Sequence, residues 1–77
     1  MDLWVRSQDK KRLVRCKEFD LQEKIRYTYA VLGGIYGKHI MGTYRDKERA
    51  MEILDEIETM LLENFNESCL VYEMPKE

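Results

Sequence analysis

"IRYTYAVLGGIYGKHIMGTY", residues 25–44, decides how the rest of the chain is read. Ile25, Tyr27, Tyr29 and Val31 alternate onto one face of a strand over residues 25–32. Aromatic and β-branched side chains suit such a pleated, half-buried surface. Gly33-Gly34 can take the positive φ angles of a tight hairpin turn. Residues 35–44 then return as a second strand, with Gly37 and Gly42 marking a bulge or a close backbone approach. The same glycines superficially resemble a phosphate-binding loop. Such a loop opens a helix after its strand, and the nucleotide-binding version carries Gly-Lys-Ser/Thr. Here a strand follows and that tripeptide is absent, so the stretch reads as an antiparallel hairpin.

Upstream, residues 3–8 alternate as a short strand, Asp9-Lys10-Lys11 is a polar turn, and residues 12–21 form a second, imperfectly alternating strand. Downstream, Asp46 is a good helix N-cap for "DKERAMEILDEIETMLLENF", residues 46–65. At roughly 100° per residue, Ala50, Ile53, Leu54, Ile57, Met60, Leu61 and Phe65 form one apolar stripe. Glu48, Glu52, Asp55, Glu56 and Glu63 fall opposite. Met51 and Leu62 depart from the stripe, on the flank that carries Asp55 and Glu58. Residues 70–74 read as a last short strand stopped by Pro75. The expected fold is α+β: an antiparallel sheet of four to five strands in the order ββββαβ, with one amphipathic helix on one face. One helix cannot cover such a sheet completely, so the other face must be polar or must meet a partner.

The chain has 77 residues, enough for a single domain (1–77) with a small core. Its hydrophobic fraction of 44% and its single proline are those of a globular chain, not a disordered one. No apolar run of about 18 residues is present to span a membrane. Asp2, Arg6 and Asp9 interrupt the stretch where a signal peptide would be apolar. A cytoplasmic protein is therefore expected, with Cys16 and Cys69 as reduced thiols, a single Cys16–Cys69 bridge being the alternative. Charge is unevenly placed: residues 1–30 carry net +3 and residues 46–77 net −7. Solvated surfaces of opposite sign are the plain reading. An acidic helix that mimics nucleic acid is the sharper one.

Little in the composition suggests catalysis. The one histidine, His39, sits in a strand, and two distant cysteines make no zinc pattern. Carboxylates such as Glu52, Asp55 and Glu56 fit a solvated helix face better than a metal or glycosidase site. Tyrosines and Trp4 interleave with basic residues, as in single-strand nucleic-acid binders. The net charge of −2 opposes attraction to phosphate, so nucleic acid is not the expected partner. No enzyme, metal or cofactor is expected.

"WVRSQDK" at residues 4–10, "ERA" and "LDEI" at 48–50 and 54–57, and "YEMP" at 72–75 together resemble a group of short uncharacterised proteins. These are encoded by Gram-positive bacteria and their phages. The likeness spans most of the chain and is weakest over residues 18–40. It carries no catalytic or binding residue. It implies a small intracellular accessory protein in the cytoplasm of a bacterial host cell, and a phage or prophage origin implies inhibition of a bacterial (defence) protein by binding it. From the residues themselves, turn chemistry accounts for Ser7, Asp9 and Lys10, while Trp4, Arg6 and Gln8 on one strand face could form a recognition surface. The helix flank of Met51, Asp55, Glu58 and Leu62 is the second candidate. The partner expected is a bacterial protein, a second copy of the chain in a homo-oligomer, or both. A homo-oligomer that sequesters a small phosphorylated, nucleotide-type ligand, with Arg6, Lys10 or Arg12 beside a tyrosine ring, is the alternative.

Overall fold

The turn expected at Gly33-Gly34 is strand instead. The computed structural model describes residues 2–24, 28–64 and 66–77; Ile25 and Tyr27 of the expected strand and Phe65 of the helix stripe lie outside the described residues. Strand β4 (Thr28–Gly34) runs through both glycines, and the chain turns over residues 35–37 into β5 (Lys38–Tyr44). Neither glycine has a positive φ. Their role is close approach. A Cβ on Gly33 would stand 2.9 Å from the Cys16 Sγ and 3.1 Å from the Phe19 ring, and one on Gly34 would run into the Gly37 carbonyl oxygen. The expected bulge is present, because Val31 pairs with Gly42 and Leu32 with Ile40, leaving Met41 without an opposite number.

The second expected strand divides at Lys17 into β2 (Leu13–Cys16) and β3 (Glu18–Lys24). β2 pairs antiparallel with β1 (Asp2–Arg6), and β3 pairs antiparallel with β4. The last strand, β6 (Cys69–Glu73), lies parallel to β1. The single antiparallel sheet of four to five strands is thus corrected to two three-stranded sheets, β2-β1-β6 and β3-β4-β5, in chain order βββββαβ. The reason is burial. One small helix could not cover a flat sheet of this width, whereas two sheets turned toward each other cover one another. Lys17 makes the crossing, its N–H donating to the Gly34 carbonyl at 3.0 Å.

The helix α1 (Lys47–Glu63) starts as read. The Asp46 side chain accepts from the Glu48 N–H at 2.9 Å. Asn64 closes the far end, its backbone and side-chain N–H groups both donating to the Met60 carbonyl. Ala50, Ile53 and Ile57 are buried, Leu54, Met60 and Leu61 half-buried, and the helix packs on β3, β4 and β5. The core joins all three layers: Leu3, Val5 and Cys16 from the first sheet, Val31, Met41 and Tyr44 from the second, and the helix stripe. Met74, just past β6, seals one end and is fully buried. Both cysteines are free, Cys16 buried and Cys69 exposed.

Candidate protein-binding face

Strand alternation puts Leu3 and Val5 of β1 in the core and Trp4 and Arg6 on the outside. The register then decides their company. Trp4 lies opposite Arg15 on one side and Val71 on the other, and Arg6 lies between Leu13 and Glu73. Opposed residues share a face, so Trp4 sits at the centre of an outer surface with Leu13, Arg15, Val71 and Glu73. Val71 is 55% and Leu13 45% exposed, high for large apolar side chains. Half-buried Trp4 joins them into one apolar strip. The strip is rimmed by charge: the Arg6 Nε stands 3.9 Å and the Lys10 Nζ 3.7 Å from the Glu73 carboxylate. These are exposed pairs, worth less than about 1 kcal/mol each, and their effect is to orient the rim.

Gln8 does not join that face. Its side-chain amide behaves as an added peptide unit on the edge of β5. Oε1 accepts the Thr43 N–H at 2.9 Å, and Nε2 donates to the Thr43 carbonyl at 3.1 Å. Nε2 also donates to the Lys76 carbonyl at 2.6 Å, and the Gln8 backbone N–H donates to the Met41 carbonyl at 2.7 Å. One residue thereby fastens the first sheet to the second and to the C-terminal segment.

The rest of the loop is turn chemistry. The buried Ser7 hydroxyl donates to the Asp9 carboxylate at 2.6 Å and accepts the Arg12 N–H at 3.1 Å. Lys11 N–H also donates to Asp9, and the two hydrogen bonds hold the Asp9 carboxyl below its ordinary range. Lys10 takes the left-handed conformation, φ 69°, that closes the loop. Arg6 Nη1 donates to the Lys10 carbonyl at 3.1 Å.

Arg12 leaves on the opposite side of this loop, where its Nη1 donates to His39 Nδ1 at 2.9 Å. Near it, Lys38 is paired with Asp20 and Glu18. Arg6, Lys10 and Arg12 are therefore not gathered on one site: two reach Glu73 and one reaches His39. Met51, Asp55, Glu58 and Leu62 do line one exposed flank of α1, with Met51 43% and Leu62 68% exposed. Beside them Phe19, Leu54 and Leu61 form a shallow apolar groove against β3.

Leu13, Arg15, Val71 and Glu73 are the members of the Trp4 face that the sequence did not single out. Val71 is brought there by a pairing 67 positions apart in the chain, between Trp4 and Val71. No local pattern announces that. Among the described residues no group of three or more His, Cys, Asp or Glu side chains could hold a metal ion, and no helix is long and apolar enough to cross a membrane. The chain matches no protein-family model, no curated protein and no solved structure.

Proposed function

We propose that this chain is a non-catalytic binding protein whose Trp4 face docks on another protein. The observation that supports this reading is the exposed strip of Trp4, Leu13 and Val71 with its Arg6, Arg15 and Glu73 rim. Trp and Arg beside exposed aliphatic side chains are the residue types that most often dominate protein interfaces. On the resemblance read in residues 4–10, 48–57 and 72–75, the proposed partner is a bacterial protein, with inhibition by occupancy as the outcome. The reading uses no cofactor and no bond-making step.

The test is capture of a partner from bacterial lysate by the immobilised chain, with Trp4→Ala and Glu58→Lys compared side by side. Trp4→Ala is expected to weaken retention of the partner at least tenfold, or about 1.4 kcal/mol, while Glu58→Lys leaves it unchanged. The reverse pattern would move the interface to the helix flank and overturn the assignment.

A further inference from the structure

Each sheet has two terminal strands, and three of the four are protected. β3 carries Glu18, Asp20, Glu23 and Lys24 along its seven residues. β5 has its edge occupied by the amide and backbone of Gln8. β2 is only four residues long, contains Arg15 and runs straight into Lys17. Short strands, charges and capping groups are how natural sheets prevent edge pairing. The fourth edge, β6, has the sequence CLVYE, with no lysine and no proline inside it. Its one charge, Glu73, is turned to Arg6 of its own sheet and to Lys10 in the β1–β2 turn.

The hydrogen-bond pattern says which groups this edge presents. The Met74 N–H donates inward to the Arg6 carbonyl at 3.0 Å. Backbone groups alternate along a strand, so Leu70 and Tyr72 also bond inward to β1. Cys69, Val71 and Glu73 therefore turn their N–H and C=O groups outward. Their side chains lie on the Trp4 face.

We propose that β6 pairs antiparallel with β6 of a second copy of this chain about a two-fold axis at Val71. The set is self-complementary. With Val71 opposite Val71 of the second copy, Cys69 falls opposite Glu73 and Glu73 opposite Cys69, and each pair exchanges both of its hydrogen bonds. Moving the axis by one residue leaves outward-facing groups at the strand ends without partners. The two first sheets merge into one continuous sheet, ordered β2-β1-β6 and then β6-β1-β2 of the second copy. Across its outer surface, Trp4 and Val71 of one chain meet Val71 and Trp4 of the other in a single row. The binding face is doubled and the exposed Val71 gains a contact. The edge is short, so the complex belongs with small, weak interfaces and requires about 100 µM chain to be seen well.

The test is sedimentation of the whole chain at about 100 µM, a concentration suited to weak interfaces. The parent is expected at twice the chain mass. Val71→Lys, which sets two cations face to face at the axis, and Val71→Pro, which removes an outward N–H and no inward one, are expected at the single chain mass. Far-UV circular dichroism should be unchanged, because Val71 is exposed. If Val71→Pro fails to fold, Val71→Lys decides alone. In a Cys69→Ser background, Val71→Cys should give a disulfide-linked dimer under mild oxidation. A monomeric parent, or a dimer that Val71→Lys leaves intact, overturns the proposal. Trp4→Ala should keep the dimer, so a failure here is separate from a failure of the protein-docking reading, which partner capture reports.

Discussion

The two sheets have the same number of strands and differ in how their edges and outer faces are built. The second, β3-β4-β5, has strands of seven residues, a helix over its inner face, charged or capped edges, and the ion-paired Lys38 on one strand. The first, β2-β1-β6, has shorter strands, an outer face centred on a tryptophan, and the least guarded edge of the molecule. The first sheet gives only its inner side to the core, through Leu3, Val5 and Cys16. A chain this small has little apolar surface to spare. Ile40 stands in water on the second sheet as well, but only on the first do two exposed aliphatic side chains, Leu13 and Val71, flank a tryptophan, and the proposed docking face rests on that grouping.

That contrast can be broken most directly in the core. Ile53→Ala removes a side chain with no exposed surface, wedged between helix and second sheet, and is expected to cost about 2–5 kcal/mol in urea unfolding. Leu13→Ala on the outer face of the first sheet should cost less than about 0.5 kcal/mol. Comparable losses would mean that the Trp4 face is a structural surface after all. Gln8→Ala tests the joint between the sheets. It deletes both side-chain bonds to Thr43 and the one to Lys76, and unfolding should become easier by about 1–3 kcal/mol. The same variant should raise amide exchange at Thr43, and unchanged protection there would show that Gln8 is not what holds the edge of β5.

A smaller effect lies in alkaline solution. Burial pushes the Cys16 thiol up to about 11 and the Tyr44 hydroxyl up to about 12. Tyr72 is raised as well, first by burial and then by its hydrogen bond to Glu56 at 2.6 Å. Raised acids are neutral in the folded chain, so their contribution is full below the unfolded values, near 9 for Cys and 10 for Tyr. It is lost as pH climbs from there through the folded values. Melting temperature should hold to about pH 9 and then fall, with a shallower fall in Tyr72→Phe, which has no proton to lose. An identical slope in that variant would show that Tyr72 does not contribute.

Local signals were legible wherever a residue's role was decided by its neighbours. Asp46 opens the helix, Met51 and Leu62 stand off its buried stripe, and the aromatic run over residues 28–31 is strand. The misreadings have one physical origin. Gly33 and Gly34 suggest a turn because glycine permits positive φ, but they are needed for side chains and backbone that arrive from Cys16, Phe19 and Gly37. Lys17 looks like any strand residue, and only the competition of two sheets for one core makes it a crossing point. Alternation groups Gln8 with Trp4, yet its bonds reach residues 35 and 68 positions away. Roles set by distant partners leave no periodic trace.

The parallel pairing of β1 with β6 also fixes an order of events. The second sheet and the helix draw on a continuous stretch, from Glu18 to Glu63, with hairpin and helical contacts that close quickly. The first sheet must bring together segments from opposite ends of the chain, and the entropy of closing that long loop is lost before any of its hydrogen bonds form. β6 is therefore the last strand to find its place. During synthesis β1 is made before β6, so the first sheet cannot close until β6 has also been made. Until then Trp4 and the open side of β1 have only β2 for company, and the unpaired edge of β1 is exposed.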